Sequence, residues 1–256
     1  MLKKKLFLIP LLAGLMFVFP ACNNFDTGNS RTFTDVFGVV KSIDYFQNNL
    51  VTFSTTLGEI VANELPTQPL NEGDCVYFYQ FIIDYDNQPS DKYLIASGVQ
   101  YEQITKEPFS IESGSSIPTD GYDLKLSEIQ ILSSPYLYGS LFTSATFSKM
   151  KEQGVNFRLV FNPDEPAENG ALNVYMQARL SGTASGATEN SYAIRAFNAR
   201  SLLMMAGRDT TVQEVSFRYA KINLKYMSGT ENGEPVYSKL ENPIELLMFR
   251  ESSYPY

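Results

Sequence analysis

Short runs of β-branched and aromatic residues alternate with turn residues in the first third of the chain. Turn clusters at Gln47-Asn48-Asn49 and Asn71-Glu72-Gly73 separate these runs, and Gly58 interrupts the second one. Several short strands at regular spacing are typical of an all-β barrel or sandwich. About five strands in some 70 residues predict a small OB-like barrel over residues 33–104. The runs are VFGVVKSIDYF (36–46), LVTFSTTLGEIVANEL (50–65), DCVYFYQFIIDY (74–85) and KYLIASGVQYEQI (92–104).

Residues 105–123 break this pattern, because prolines, glycines and serines concentrate there. Such composition predicts a linker. Beyond it, apolar and polar residues alternate in NFRLVF (156–161) and LNVYMQARL (172–180), on either side of a loop that contains Asn169-Gly170. The alternation predicts a β-hairpin with one buried face and one wet face. We therefore expect residues 124–256 to form a β-sandwich.

Two later segments predict local irregularities. In EVSFRYAKINLKY the apolar positions change parity between Tyr219 and Ala220, which predicts a β-bulge or a corner between sheets. SYAIRAFNARSLLMMAG fits a strand followed by a short helical turn that ends at Gly207.

The amino terminus has the order of a secretory signal. Three lysines precede an apolar stretch from Leu6 to Phe19, which as a helix rises only about 21 Å against roughly 30 Å of bilayer hydrocarbon. Ala21 and Cys22 follow, and this arrangement resembles the lipobox of bacterial lipoproteins. The resemblance implies a signal over residues 1–21, cleavage between Ala21 and Cys22, acylation of Cys22, and a tether over residues 22–32. A plain signal peptide with Cys22 nearby by chance is the alternative.

Composition excludes several classes of function. Removing residues 1–21 removes three lysines and no acid, so the formal charge changes from -8 to -11. We expect no nucleic-acid partner, since such partners require a basic surface. The chain has no histidine, which excludes Ser-His-Asp and Cys-His nucleophiles and histidine-containing metal sites. We predict no catalytic residues, no metal and no cofactor.

Cys75 is the only other cysteine, so a lipidated Cys22 leaves it without a disulfide partner. It lies in the aromatic, strand-like run GDCVYFYQF, without a nearby lysine or arginine to stabilise a thiolate. We predict a buried, inert thiol.

The lipobox, the barrel runs FGVVKSID, GDCVYFYQFIIDY and YLIASGVQYEQI, and the β-rich second half together resemble the NigD-like lipoproteins of the Bacteroidetes. The resemblance covers residues 33 to 250. It implies an OB-like barrel followed by an immunoglobulin-like sandwich, anchored in the outer membrane of the cell envelope. It implies no biochemical activity and assigns no functional residues.

Two acidic segments have alternative interpretations. DYDNQPSD (84–91) has the carboxylates of a Ca²⁺ loop, but Gln88 and Pro89 stand where an EF-hand-type loop needs an oxygen ligand and a glycine. Its composition also fits a hairpin turn, which we prefer. PDEPAENG (163–170) fits a solvated loop tip better than a catalytic carboxylate pair.

Two further patterns concern aromatic residues and glycosylation. Tyr77, Tyr79, Phe81, Ile83 and Tyr85 share one side of a strand that is apolar on both sides. This favours burial in the barrel core over an aromatic platform for sugars. Asp209-Thr210-Thr211 resembles the O-glycosylation acceptor of the Bacteroidetes, with Thr210 as the acceptor; an ordinary polar loop is the preferred alternative.

Taken together, these patterns predict a non-enzymatic cell-envelope lipoprotein that contacts the membrane through its lipid anchor and binds a protein or a glycan. One alternative is an anchored structural component, fimbria-like, with PIELLMFRESSYPY (243–256) as an exchangeable terminal strand. The other is a carboxylate-dependent glycosidase or glycan-processing accessory protein.

Overall fold

The computed structural model describes residues 28–44, 50–62, 69–88, 93–117, 119, 121–132, 139–212 and 215–249. Within these residues the chain forms β-strands, one 3-10 turn at Tyr85–Asn87 and one α-helix, α1, at Arg200–Ala206. The fold is all-β, as predicted. The strands are β1 (Ser30–Asp44), β2 (Leu50–Thr55), β3 (Gly58–Ala62), β4 (Cys75–Asp84), β5 (Leu94–Ile104), β6 (Lys106–Glu107), β7 (Phe109–Ile111), β8 (Leu126–Ile131), β9 (Ser140–Met150), β10 (Gly154–Phe161), β11 (Leu172–Ser181), β12 (Thr188–Asn198), β13 (Arg208–Val212), β14 (Val215–Glu231), β15 (Glu234–Lys239) and β16 (Ile244–Phe249).

The first five strands close into a barrel in the order β1-β2-β3-β5-β4. β3 and β5 are parallel, and β1 pairs with β4 to complete the closure. The predicted five-stranded barrel is therefore confirmed. Phe53 and Phe78 meet edge to face at 5.0 Å in its core. A glycine is needed at Gly38 of β1, because a Cβ there would lie 2.7 Å from the Phe78 ring.

Strand β4 does not keep a single inward face. Its pairing with β5 shifts register twice between Phe78 and Ile82, so that Phe78 and Phe81 are both fully buried although they are three residues apart. The predicted burial is confirmed for Phe81 and Ile83 but is wrong for Tyr79, which is 48% exposed, and for Tyr85, which lies in the 3-10 turn after β4 and is 42% exposed. The register shifts reverse the parity on which that prediction depended.

The segment predicted as a linker contains two strands of the second domain. β6 pairs in parallel with β12, and β7 pairs in parallel with β10. Pro108 separates the two strands, and its carbonyl accepts from Leu159 N. The many prolines and glycines correctly indicate an irregular backbone. The residues on either side of Pro108 nevertheless form strand hydrogen bonds at the edges of two sheets. Residues 106–111 are thus part of the sandwich.

Two sheets stack to form the second domain. One has the order β13-β14-β11-β10-β7, with β15 and β16 also pairing with β14, and the other has the order β6-β12-β9-β8. Both are mixed sheets. The predicted hairpin is confirmed, since β10 and β11 pair antiparallel from Gly154↔Ser181 to Phe161↔Val174. Inward residues of both sheets form one core, including Leu126, Leu141, Phe147, Phe197, Phe157, Leu159, Val174, Met176, Ile222, Leu224 and Leu246.

The predicted β-bulge at Tyr219 and Ala220 is wrong, because β14 pairs with β16 without a register shift from Phe217 to Ile222. On its other side, the pairing with β13 ends at Tyr219 and the pairing with β11 begins at Ile222. The strand thus changes neighbours here but stays in one sheet. Tyr219 points away from the core, where its hydroxyl donates to Glu245 at 3.1 Å. Its polar hydroxyl makes it compatible with the outer face. The bulge in β14 lies instead between Met227 and Gly229, opposite β15.

The predicted strand and helical turn near residue 200 are confirmed. β12 ends at Asn198 and α1 ends at Ala206. Leu202 and Leu203 are fully buried, and Gly207 N donates to Leu203 O at 2.9 Å. A Cβ at Gly207 would lie 2.4 Å from that oxygen, which explains the glycine.

A third apolar cluster joins the barrel to the sandwich. Phe37 of β1 packs against Phe142 of β9 with their ring centroids 5.1 Å apart. Cys75 belongs to this cluster, and its Sγ lies 3.5 Å from Ser140 Oγ. Burial raises the pKa of the Cys75 thiol. The prediction of a buried thiol is confirmed.

Candidate ligand-binding cleft

The outer face of the larger sheet carries polar side chains that are buried. They are Arg158 on β10, Asn173 and Gln177 on β11, and Asn223 on β14. Residues from two loops, 112–123 and 162–171, contact them. The predicted wet face is therefore wrong for these positions. Alternation correctly separates apolar from polar residues, but it does not reveal that loops with matching carbonyl and carboxylate groups will cover the polar side.

Arg158 and Gln177 form one end of this buried polar network. Arg158 Nε donates to Gln177 Oε1 at 2.9 Å, and Arg158 Nη2 donates to the Thr119 carbonyl at 3.3 Å. The guanidinium also stacks over the Tyr122 ring at 4.1 Å. Gln177 Nε2 in turn donates to the Tyr237 hydroxyl at 2.9 Å. A buried charged group needs hydrogen-bond partners of this kind, because burial removes its contacts with water.

Glu165 and Tyr175 form the other end of the network. Glu165 accepts hydrogen bonds from Asn173 Nδ2 at 2.6 Å and from the Tyr175 hydroxyl at 2.8 Å. Burial raises the pKa of Tyr175, and its hydrogen bond to the Glu165 carboxylate raises it further. Lys225 Nζ lies 3.5 Å from Glu165. The carboxylate is thus held in a fixed position by two donors and one cation.

Glu168 completes this charged group. It pairs with Lys225 at 3.5 Å and also with Lys239. The hydrogen bond and charge of Lys239 lower the pKa of Glu168. Glu168 and Ala171 form an isolated bridge around the positive-φ turn at Asn169 and Gly170. PDEPAENG is consequently an ordered loop whose two glutamates pair with lysines of the sheet.

A cleft of about 680 Å³ opens between the two loops, with Tyr175 as one of its lining residues. Asn162 and Asp164 join the loops, because Asn162 Nδ2 donates to Gly114 O at 2.7 Å and Gly114 N donates to Asp164 at 3.0 Å. None of the described lining residues is basic, and two of them, Asp164 and Glu165, carry carboxylates. The lining consists of Gly114, Ser115, Ser116, Ile117, Asn162, Asp164, Glu165, Pro166 and Tyr175.

Two of the three carboxylates of DYDNQPSD, those of Asp84 and Asp86, have local structural roles, and Asp91 lies outside the described residues. Asp84 accepts from Asp86 N at 3.0 Å and from Asn87 Nδ2 at 2.6 Å, which caps the 3-10 turn. Asp86 accepts from Asn29. Throughout the part of the chain that the structure describes, no group of three Asp, Glu or Cys residues is placed to hold a metal ion.

The predicted modification sites fall in different parts of the chain. Ala21 and Cys22 lie outside the described residues. Thr210 lies in β13, where it pairs with Phe217 of β14, so the segment is a strand and not the polar loop preferred from sequence. Its neighbour Asp209 accepts from Arg218 Nε at 3.0 Å. Within the described residues, no helix has the length and apolar character needed to cross a bilayer.

The cleft was missed by sequence reasoning. Its residues come from three separate segments, and no short motif joins them. The only signal was that the polar positions of β11 carry the large hydrogen-bonding side chains Asn173, Tyr175, Gln177 and Arg179. A strand face that is exposed to water does not need side chains of this size and hydrogen-bonding capacity.

Comparisons with known proteins show similarity at the level of structure. No protein-family model matches the chain, and no curated protein matches its sequence. An uncharacterised protein from Parabacteroides merdae is similar with a TM-score of 0.61 at 15% identity, over 85% of this chain and 99% of that one. A candidate lipoprotein from Bacteroides fragilis is similar with a TM-score of 0.53 at 13% identity, over 84% and 97% of the two chains. The likeness is one of fold.

The structural neighbours also include a NigD-like immunity protein from Bacteroides caccae. It has a TM-score of 0.45 at 15% identity, over 80% of this chain and 92% of that one. None of these three neighbours has a name that states an enzymatic activity.

Proposed function

We propose that this protein is a lipid-anchored, non-enzymatic binding protein of the cell envelope, related to the NigD-like lipoproteins, and that its cleft binds a neutral glycan. The observation that carries the proposal is the cleft between residues 114–117 and 162–166, where Tyr175 and Glu165 are fixed by a buried polar network.

The chemistry of the cleft fits hydroxyl groups. Ser115, Ser116, Asn162, Asp164 and Glu165 supply hydroxyl, amide and carboxylate oxygens, and these oxygens accept hydrogen bonds from sugar hydroxyls. The volume of the cleft lies within the range of small-molecule sites. The charge of Glu165 is offset by Lys225 at 3.5 Å, which favours a neutral ligand over a cationic one. The acidic chain disfavours nucleic acid.

The proposed anchor is Cys22, which follows the apolar stretch and Ala21. The fold is shared with a candidate lipoprotein from Bacteroides fragilis, which supports a location in the cell envelope. Acyl chains on Cys22 contribute about 0.8 kcal/mol per buried methylene, so several chains hold a protein on a membrane without a spanning segment. We propose the outer membrane as the location.

Two observations support a binding role over catalysis. The chain has no histidine. A glycosidase needs a carboxyl group that acts as a general acid and donates a proton. The Glu165 carboxylate accepts bonds from Asn173 and Tyr175 and pairs with Lys225.

The fimbria-like alternative is less well supported. It requires the carboxyl-terminal strand to leave its own sheet. Ile244 and Leu246 of β16 are buried in the sandwich core, and β16 pairs with six residues of β14. Removing the strand would expose this core to water.

The anchor is tested by growing a Bacteroidetes host with a clickable fatty-acid analogue. Wild-type protein is expected to incorporate the label, and Cys22→Ala is expected to lose it. Label retained in Cys22→Ala would overturn the lipoprotein assignment.

The ligand is tested by screening a panel of neutral and charged glycans against the mature chain and measuring affinities by calorimetry. Ser116→Trp is expected to block the cleft, since Ser116 is an exposed lining residue. Glu165→Gln removes the fixed carboxylate, and Glu245→Gln is the control, because Glu245 pairs with Lys221 on β14 away from the cleft. Binding of a neutral glycan that both cleft variants weaken by about tenfold or more, and the control does not, supports the proposal. A panel without binders, or binding unchanged by Ser116→Trp, overturns it.

A further inference from the structure

We propose a second binding site: the open edge of β12 binds an extended peptide segment of a partner protein, which adds a strand to the smaller sheet. This inference concerns a different surface from the glycan cleft and does not rest on it.

The edge of β12 is paired along only part of its length. On one side, β9 pairs with every residue from Thr188 to Asn198. On the other side, among the described strands, only β6 pairs with β12, at Ala196↔Lys106 and Phe197↔Glu107. Residues 188–195 therefore form a strand edge to which no described strand is added.

The register identifies the backbone groups that this edge presents. Ala196 N donates to the Thr105 carbonyl at 3.1 Å, on the side away from β9. Because successive residues of a strand point their N–H and C=O groups to opposite sides, Tyr192 and Asn190 also direct theirs away from β9. The Ile194 carbonyl accepts from the Arg195 guanidinium at 2.7 Å. Tyr192 is thus the groove residue whose N–H and C=O both face away from β9, and Asn190 continues the same open edge just beyond the groove.

A groove of about 550 Å³ runs along the edge. Residues 191–195 of β12 form one wall, residues 102–105 of the barrel form another, and residues 153–155 of the sandwich close it. A groove with a strand edge as its wall fits an extended chain, because main-chain hydrogen bonds supply affinity and side-chain contacts supply specificity.

The chain already shows how a strand binds at this position. β6 follows residues 102–105 directly and occupies the last two positions of the same edge, in parallel orientation. A bound peptide would occupy the remaining positions of that edge. The barrel wall on the other side of the groove limits access to a single strand, which also protects the edge against uncontrolled aggregation.

The side chains around the groove indicate which peptide it prefers. Tyr192 is 58% exposed, and the Tyr79 hydroxyl donates to Glu102 at 2.6 Å. The other charges nearby are paired, Lys149 with Glu189 at 3.1 Å and Arg195 with Glu107 at 3.1 Å. The Glu102 carboxylate is matched by a neutral hydroxyl. The proposed ligand is therefore an extended peptide that carries a lysine or arginine opposite Glu102.

Two substitutions of one residue separate the backbone contribution from the side-chain contribution. Tyr192→Pro removes the N–H that faces the groove and leaves the hydrogen bonds between β9 and β12 intact, and proline is tolerated on edge strands in this orientation. Tyr192→Ala removes the same ring but keeps the N–H. The probe is the peptide that wild-type mature protein enriches most from a random phage-displayed library, labelled for fluorescence anisotropy.

We expect the peptide to bind Tyr192→Pro at least about tenfold more weakly than Tyr192→Ala, because the proline variant loses a backbone hydrogen bond that aligns the peptide with β12. We expect Glu102→Gln to weaken binding of a basic peptide and to leave binding of its lysine-to-methionine variant unchanged. In wild-type protein, the peptide should slow hydrogen exchange at the Tyr192 and Asn190 amides. This last measurement decides the question if Tyr192→Pro does not fold. Failure to enrich any peptide, equal affinity for the two Tyr192 variants, or unchanged exchange at both amides overturns the proposal.

Discussion

Arg158 and Gln177 are hydrogen-bonded at 2.9 Å on a sheet face that is buried beneath loops of the same domain. An arginine in such a position is stable only if its donors find acceptors. Gln177 provides one acceptor and the Thr119 carbonyl provides another. The pair connects the covering loop to β10 and β11, and Gln177 extends the connection to Tyr237 on β15. We infer that this network holds the loops that shape the cleft.

We predict that Gln177→Leu lowers the free energy of unfolding by about 2–3 kcal/mol, because it leaves a buried guanidinium without one of its acceptors. Gln177→Glu keeps an oxygen in the same place and should lose less. Urea unfolding followed by circular dichroism measures both. Equal losses in the two variants would contradict this prediction, because only Gln177→Glu keeps an oxygen acceptor for Arg158.

We also predict that the protein loses stability at alkaline pH through its tyrosines. Burial, with the hydrogen bond to Asp35, raises the pKa of Tyr77 to about 12, and burial is also the first cause of the raised pKa values of Tyr175 and Tyr237. The unfolded chain releases these protons near pH 10 while the folded chain retains them, so the folded state loses its advantage as pH rises from about 10 towards 12. Stability should be insensitive to these groups below pH 9.

The test is a series of urea unfolding curves for wild type and Tyr77→Phe between pH 8 and pH 11.5, with pH as the only variable. The free energy of unfolding should fall with pH in wild type, and the fall should be smaller in Tyr77→Phe. Parallel curves for the two proteins would contradict the assignment to Tyr77.

The sequence predicts the strands of the barrel well and the cover of the sandwich poorly, for a physical reason. The barrel strands lie in runs bounded by turn clusters, and the residue types within each segment are enough to predict both the strands and the turns. By contrast, the burial of Arg158 and Asn173 depends on loops 112–123 and 162–171, which are distant in sequence from one another. Local periodicity contains no information about such contacts. The same reason explains why two short strands beside Pro108 were predicted as a linker.

Cys75 provides a test of the contact between the barrel and the sandwich. Its thiol is buried in the apolar cluster that joins them, with a raised pKa, and thiolates are the reactive form. In a mature chain that carries Cys22→Ala, we predict that iodoacetamide modifies Cys75 at pH 8 about a hundredfold more slowly than in urea. Ser148→Cys, at an exposed position of β9, is the matched control and should react quickly in the folded protein.

Rapid labelling of Cys75 in the folded protein would indicate that the barrel and the sandwich separate. Phe142→Ala distinguishes this possibility, since it removes the ring that packs against Phe37 at 5.1 Å and should cost about 3–5 kcal/mol. If the interface controls access to the thiol, this variant should accelerate the labelling.

Thr210 gives the last prediction, which concerns glycosylation of a strand. β13 pairs with β14 and with no other described strand, so the Asp209-Thr210-Thr211 backbone lies at the margin of the larger sheet. A glycan that is attached after export requires a surface position. Intact-mass spectrometry of protein from a Bacteroidetes host should show a glycoform that Thr210→Val removes. Thr211→Val is the matched control and should keep the glycoform, because the acceptor resemblance assigns the sugar to Thr210. Equal masses for wild type and Thr210→Val, after correction for the substitution, would show that the segment is an unmodified strand.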